Sequence, residues 1–209
     1  MYIKVSSCGR IGGVRVNLRC PHCGRLGVFE ALNEINDAVI ERIILGQRMC
    51  PNRECKGHIF FVQDYDGNTI VSYPPERIDF EKKGIPKNVL STFEEAITCH
   101  ANQCYIASAI MIRKTLEEIC LDRTVKGANL KKRIKDLGNK IVIPNELLLG
   151  MDELRLLGND ATHIESREFC AIEQKELEVA IDFTKEILKA VYQYEHLLGK
   201  LKSLKKTKP

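Results

Sequence analysis

The hydrophobic period of this chain changes once, near Pro74-Pro75, and that change calls for two kinds of structure in one polypeptide. Before it, apolar and polar residues alternate with period two, as in strands whose successive side chains point to opposite faces. Val14-Arg15-Val16-Asn17-Leu18 is one such run, and Leu26 to Leu32 and Ile40 to Met49 are less regular ones. His58-Ile-Phe-Phe-Val-Gln63, then Asp66-Gly67-Asn68, then Thr69-Ile-Val-Ser-Tyr73 spell a hairpin, because Gly and Asn supply the positive φ angles of a tight turn. Pro74-Pro75 ends the pattern, since proline has no N–H to give to a ladder. Residues 74–90 read as a linker, with Gly84 and Pro86 as breakers.

From Ser91 the period becomes 3.6. Phe93, Ile97, Ala101, Cys104, Ala107, Ile110, Met111, Thr115 and Ile119 form an amphipathic stripe, and Ser91 with Glu94 has capping-box spacing. Asn129 to Leu137 reads as a short basic helix stopping near Gly138. Pro144 suits the first turn of a further helix running to about Leu157, with Gly158 expected to break or kink it. Glu168 to Lys202 is rich in strong helix formers and reads as one long helix. The expected fold class is α+β, mainly α: a small β module over 1–73, a linker over 74–90, and a bundle of about four helices over 91–209. The bundle would end in a basic, solvated tail, Lys200 to Pro209.

Composition narrows the function classes. The 209 residues are 44% hydrophobic, enough for a buried core, and the net charge of +4 admits an acidic partner without requiring one. No run reaches the length of a membrane span, and MYIKVSSCGRIGG has no long apolar segment of a secretory signal. A cytoplasmic protein without a membrane span is therefore expected. Nine cysteines in that setting point to metal more than to disulfides.

Four of those cysteines are paired at short range, Cys20-Pro-His-Cys23 and Cys50-Pro-Asn-Arg-Glu-Cys55. Four thiolates on strand-flanked turns match a closed tetrahedral shell, so a structural zinc in a zinc-ribbon-like module is expected, with Cys20, Cys23, Cys50 and Cys55 as ligands. His22, His58 and Cys8 are spare donors. The alternative is four reduced core cysteines, which Pro-His and Pro-Asn-Arg-Glu, as surface-loop sequences, argue against. Arg10, Arg15, Arg19, Arg25, Arg48 and Arg53 make the module Arg-rich, which suits either a docking platform or a structural brace. Cys99, Cys104, Cys120 and Cys170 lack ligand spacing and read as core residues.

The segment Arg155-Leu-Leu-Gly-Asn-Asp-Ala-Thr-His163 places a guanidinium, a carboxamide, a carboxylate and an imidazole in nine residues. Each step of four on a helix turns only about 40°, so Arg155, Asn159 and His163 would share one broad face. An Arg gripping phosphate beside a His titrating near neutrality is a kit for phosphodiester chemistry. Arg113 is placed to join that face, or to form an i, i+4 surface pair with Glu117. Asp160 is a further polar candidate. The competing structural role is a helix cap at Asn159 and Asp160 and a hydrogen bond from His163 inside the bundle.

Tyr73-Pro-Pro75, Phe93-Glu-Glu95-Ala96, Arg113-Lys-Thr-Leu-Glu117 and Arg155 to His163 together resemble the bacterial and archaeal domain-of-unknown-function family 4145, over roughly residues 73–198. That resemblance implies a HEPN-like all-α bundle with an N-terminal zinc-ribbon-like segment, found in toxin–antitoxin, phage-defence and RNA-processing systems. It also implies a homodimer. Many HEPN proteins are metal-independent ribonucleases whose Arg-x(4–6)-His motifs meet across the dimer, the RNA 2′-OH serving as nucleophile. Carried over, His163 would be the general acid/base and Asn159 the polar residue after the motif Arg. Position 158, where that Arg would stand, is Gly, and seven residues separate Arg155, the nearest substitute, from His163. Two functions follow: a non-catalytic module binding RNA, a nucleotide or a protein partner, and, as the alternative, a dimeric endoribonuclease using His163 and Arg155, with Arg113 and Asp160 at the substrate.

Overall fold

Alternation in the first third of the chain resolves into an antiparallel sheet. The computed structural model describes residues 8–32, 37–162 and 172–204, apart from the Glu195 side chain. It forms two compact units, Met1–Asp79 and Phe80–Pro209. The first holds β1 (Gly9–Ile11), β2 (Val16–Arg19), β3 (Leu26–Ala31), β4 (Asp37–Ile40), β5 (Ile43–Met49), β6 (His58–Asp64) and β7 (Thr69–Tyr73). β5 is the hub. β6 pairs along its whole length, from Ile43↔Asp64 to Met49↔His58. β4 and β3 share the other edge, β4 opposite Ile43 to Leu45 and β3 opposite Arg48 and Met49.

The expected hairpin is β6–β7, and its turn carries Gly67 at φ 89° with Asn68 N–H donating to Asp64 Oδ1 at 2.8 Å. Along β6, Ile59 and Phe61 point inward and Phe60 outward, as period two requires. The run Ile40 to Met49, read as one strand, is two: Glu41 at φ 55° turns the chain between β4 and β5. Val16, Leu18, Phe29, Ile44, Ile59 and Phe61 form the core of this unit, continuous with Cys20 and Cys50.

The second unit contains α1 (Lys87–Ala101), α2 (Tyr105–Asp122), α3 (Leu130–Lys140), α4 (Asn145–Asp160), α5 (Gln174–Leu188) and α6 (Tyr194–Ser203). An α+β chain, a β module followed by helices, is thus observed. Its details correct several expectations. α1 starts four residues before Ser91, so Ser91 lies inside the helix and caps nothing. The stripe from Phe93 to Ile119 is two helices, with Gln103 at φ 60° making the turn and Ser108 Oγ donating to the Ala96 carbonyl at 2.9 Å. Asn129 does cap α3, accepting from Lys132 N–H at 3.0 Å, but the helix passes through Gly138 to Lys140. The long final helix is in helical form from Gln174, where Glu173 and Glu176 build the capping box. A π-helical turn, Lys189–Gln193, joins α5 to α6 without a break. Arg123 donates to the Val191 carbonyl in that turn and stacks over the Tyr192 ring at 4.7 Å, supplying a partner for a wide helical turn. No helix among the described residues is long and apolar enough to cross a membrane.

Candidate functional site

Two constellations carry chemistry. The first is made by the ends of β2 and β5, which deliver Cys20 and Cys50, each followed by a knuckle. In one, Gly24 N–H donates to the Cys20 carbonyl and Cys20 N–H to the Arg25 carbonyl, both at 2.9 Å, with Gly24 at φ 74°. In the other, Cys55 and Lys56 N–H donate to the Asn52 carbonyl at 2.9 and 3.0 Å, with Lys56 at φ 48°. The knuckles turn Cys23 and Cys55 back toward the first pair. Cys20 and Cys55 Sγ are 3.9 Å apart, Cys23 and Cys50 Sγ 3.8 Å, and all four sulfurs lie within 4.8 Å of one another. Metal–sulfur bonds of about 2.3 Å in a tetrahedron put sulfurs about 3.8 Å apart. The four cysteines therefore converge at metal-binding distance. Without a cation they are badly matched. Burial pushes Cys50 up to about 12 and Cys55 upward too, while at Cys23 burial is outweighed by hydrogen bonds from Arg25 and Asn52, bringing it to about 7. A bound cation lets all four ionise together.

His22 is not in this cluster; its Nε2 is 3.0 Å from the His58 carbonyl oxygen. His58 in turn holds Gln47 Oε1 at 3.1 Å, so neither spare histidine completes the shell. Cys8 is exposed, and the described cysteines form no disulfide.

The second constellation lies where α2 meets α4. Arg113 Nη1 donates to Asn159 Oδ1 at 2.7 Å and to the Arg155 carbonyl at 3.3 Å, and its Nη2 is 3.5 Å from Glu117. Arg113 and Asn159 are thus brought together. Arg155 turns elsewhere: its Nε donates to Asp152 Oδ1 at 2.6 Å, with its side chain only 13% exposed. That hydrogen bond, with the guanidinium charge, holds the Asp152 carboxyl below the usual carboxylate range. Asp160 is the last, half-buried residue of α4, and Asn159 and Asp160 start no new helix. His163 and Cys170 lie outside the described residues. The role of Asp152 was readable in principle, since it stands i, i+3 before Arg155.

Gly158 does not break α4, which runs on to Asp160; it lets α4 approach α2. A Cβ there would sit 2.5 Å from Arg113 Cβ, an atom fixed to the α2 backbone. Gly158→Ala gains helix propensity of up to about 1 kcal/mol, yet forces the helices apart. We expect the clash to win, lowering stability by about 1–2 kcal/mol in urea unfolding, with disturbance of the Arg113–Asn159 bond. An unchanged midpoint would show that α4 moves aside freely.

A family model described as a domain of unknown function (DUF4145) matches residues 94–207. The chain belongs to the DUF4145 family. The match begins inside α1 and covers most of the helical unit, so the second constellation lies within DUF4145 and the four-cysteine cluster precedes it. A search of curated proteins and one of solved structures return no match.

Proposed function

We propose that this DUF4145 protein is a zinc-stabilised, HEPN-like binding protein that pairs with a second copy and recognises RNA or a nucleotide, without cutting it, in a prokaryotic defence or toxin–antitoxin setting. Zinc is the metal that four thiolates in a closed shell suit best, and such a shell leaves no position for substrate. The state of the two arginines supports binding over cleavage. Arg155 is neutralised by Asp152 and Arg113 is engaged by Asn159 and Glu117, so neither guanidinium stands ready for the charge of a phosphorane-like transition state.

The test is a labelled single-stranded RNA incubated without added divalent cation, with His163→Ala alongside. The expected result is RNA bound and intact, with affinity falling as salt rises. Absence of binding at every salt concentration would overturn the nucleic-acid reading and direct the search to a co-purifying protein. Cleavage by the wild type that His163→Ala abolishes would make the protein a ribonuclease instead.

A further inference from the structure

α1 ends in a complete Schellman motif. Gln103 stands in the left-handed region at φ 60°; its N–H donates to the His100 carbonyl and the Cys104 N–H to the Cys99 carbonyl, both at 2.9 Å. In this motif the third-last helical residue and the residue after the left-handed one frequently meet side by side in an apolar contact. Here those two positions are Cys99 and Cys104. The hydrogen bond between their main chains leaves their Cα atoms at most about 6.8 Å apart by standard bond lengths, and disulfides span Cα separations of about 4.4–6.8 Å. The next side chains along meet across the same turn, with the His100 and Tyr105 rings 5.9 Å apart. Cys99 also feels its neighbour's charge: its thiol is pushed up by burial, then by Cys104 and Glu95.

We infer that Cys99 and Cys104 form a reversible redox site, a disulfide made across the α1–α2 turn by exchange with a small-molecule disulfide such as oxidised glutathione. Cys104 is exposed and Cys99 half-buried, so the first step falls to Cys104. In the reduced form its Sγ donates to the Asn102 carbonyl at 3.6 Å, an exposed contact that water can replace. The Cys104 thiolate attacks one sulfur of oxidised glutathione, the S–S bond breaks, and one glutathione leaves as its thiolate. The Cys99 thiolate then attacks Cys104 Sγ in the mixed disulfide, and the second glutathione leaves. The protein dithiol is oxidised, the glutathione disulfide is reduced, and the two cysteine protons end on the two glutathione thiols. The first step favours the second, because capping Cys104 removes the charge that opposes ionisation of Cys99. The new bond ties the last turn of α1 to the residue that opens α2, the helix that carries Arg113.

The full chain, equilibrated with oxidised glutathione, quenched in acid, alkylated and digested with trypsin, tests this. Residues 88–113 leave as one tryptic peptide, with no internal Lys or Arg and with Cys99 and Cys104 as its two cysteines. The expected result is that this peptide emerges two hydrogens lighter and unalkylated, and that dithiothreitol restores two alkylatable thiols. In Cys99→Ser the resolving thiol is gone, so the peptide should retain glutathione on Cys104 at least about tenfold more than the wild type does. The wild-type peptide decides by itself, so a poorly folded variant does not obscure the answer. A wild-type peptide alkylated at both cysteines, while the exposed Cys8 carries glutathione and so proves the oxidant active, would overturn the site. So would a wild type that keeps glutathione on Cys104 as Cys99→Ser does, or a disulfide from either cysteine to a different peptide.

Discussion

Stripping the metal from the four-cysteine site, or replacing Cys50 with Ser, is expected to unfold the β unit while most of the helical circular dichroism survives. Cys20 and Cys50 are only 1% and 2% exposed and continuous with the apolar core, so the site is part of that core. The unit around it spans Met1–Asp79, a size at which a single apolar core supplies only about 3–5 kcal/mol. Structural zinc in small domains contributes about 10–16 kcal/mol of apparent binding energy, comparable with the whole stability of a typical domain, about 5–15 kcal/mol. Loss of one ligand therefore removes more than the unit has to spare. Proton linkage gives the same expectation. Ligands bound as thiolates titrate below their unfolded value of about 8.5, so their contribution is present above that pH and is lost as the solution is acidified and protons displace the metal. Amide resonances of β5 and β6 should collapse, and metal analysis should read about one zinc per chain before stripping. Cys104→Ser, at an exposed position far from the cluster in sequence, should melt like the wild type. A Cys50→Ser variant with an unchanged melt would remove the metal from the account of the fold.

The four cysteines were legible because knuckle spacing is local: two ligands and their turn fit in four to six residues. The β6–β7 hairpin was legible for the same reason, its turn residues lying between two alternating runs. What the sequence hid was long-range. The α1–α2 turn at Gln103 interrupts nothing in the apolar pattern, because the two helices happen to keep one period across it, and only the buried set Ser108, Ile112, Leu116 and Ile119 shows the true face of α2. Gly138 and Gly158 look like helix breakers when only their own propensity is considered. In the fold each is a point of close approach, to Leu148 and to Arg113, which depends on residues 10 and 45 positions away. Local propensity was overridden by packing in both cases. Arg155 shows the complementary case: its chemistry suggests a phosphate grip, and in the fold a carboxylate three residues earlier accepts a hydrogen bond from its Nε.

Arg48 is one of the six arginines that make the β module Arg-rich, and it is 1% exposed. Its guanidinium donates to both carboxylate oxygens of Asp37, at 2.8 and 2.5 Å, and to the carbonyls of Val14 and Gln47, each at 2.7 Å. Phe61 lies under it at 4.6 Å, and Asp37 also accepts from Val14 N–H at 2.8 Å. The pair ties β4 and β5 to the segment before β2, and Gly46 on β5 keeps that space clear, since a Cβ there would strike the Asp37 carboxylate and the Phe61 ring. Asp37→Ala is expected to cost about 3–5 kcal/mol, because it leaves a buried guanidinium facing a void rather than merely deleting an attraction. Arg48→Met should cost a similar amount by leaving the carboxylate unpaired, with some compensation from the thioether packing on Phe61. The double variant Asp37→Ala/Arg48→Met should lose much less than the sum of the two, since the burial penalty of each charge vanishes with its partner. Urea unfolding of the four proteins with the metal bound closes the cycle. Additive losses would mean that the two groups are independently solvated, and that the β unit opens at this pair under native conditions.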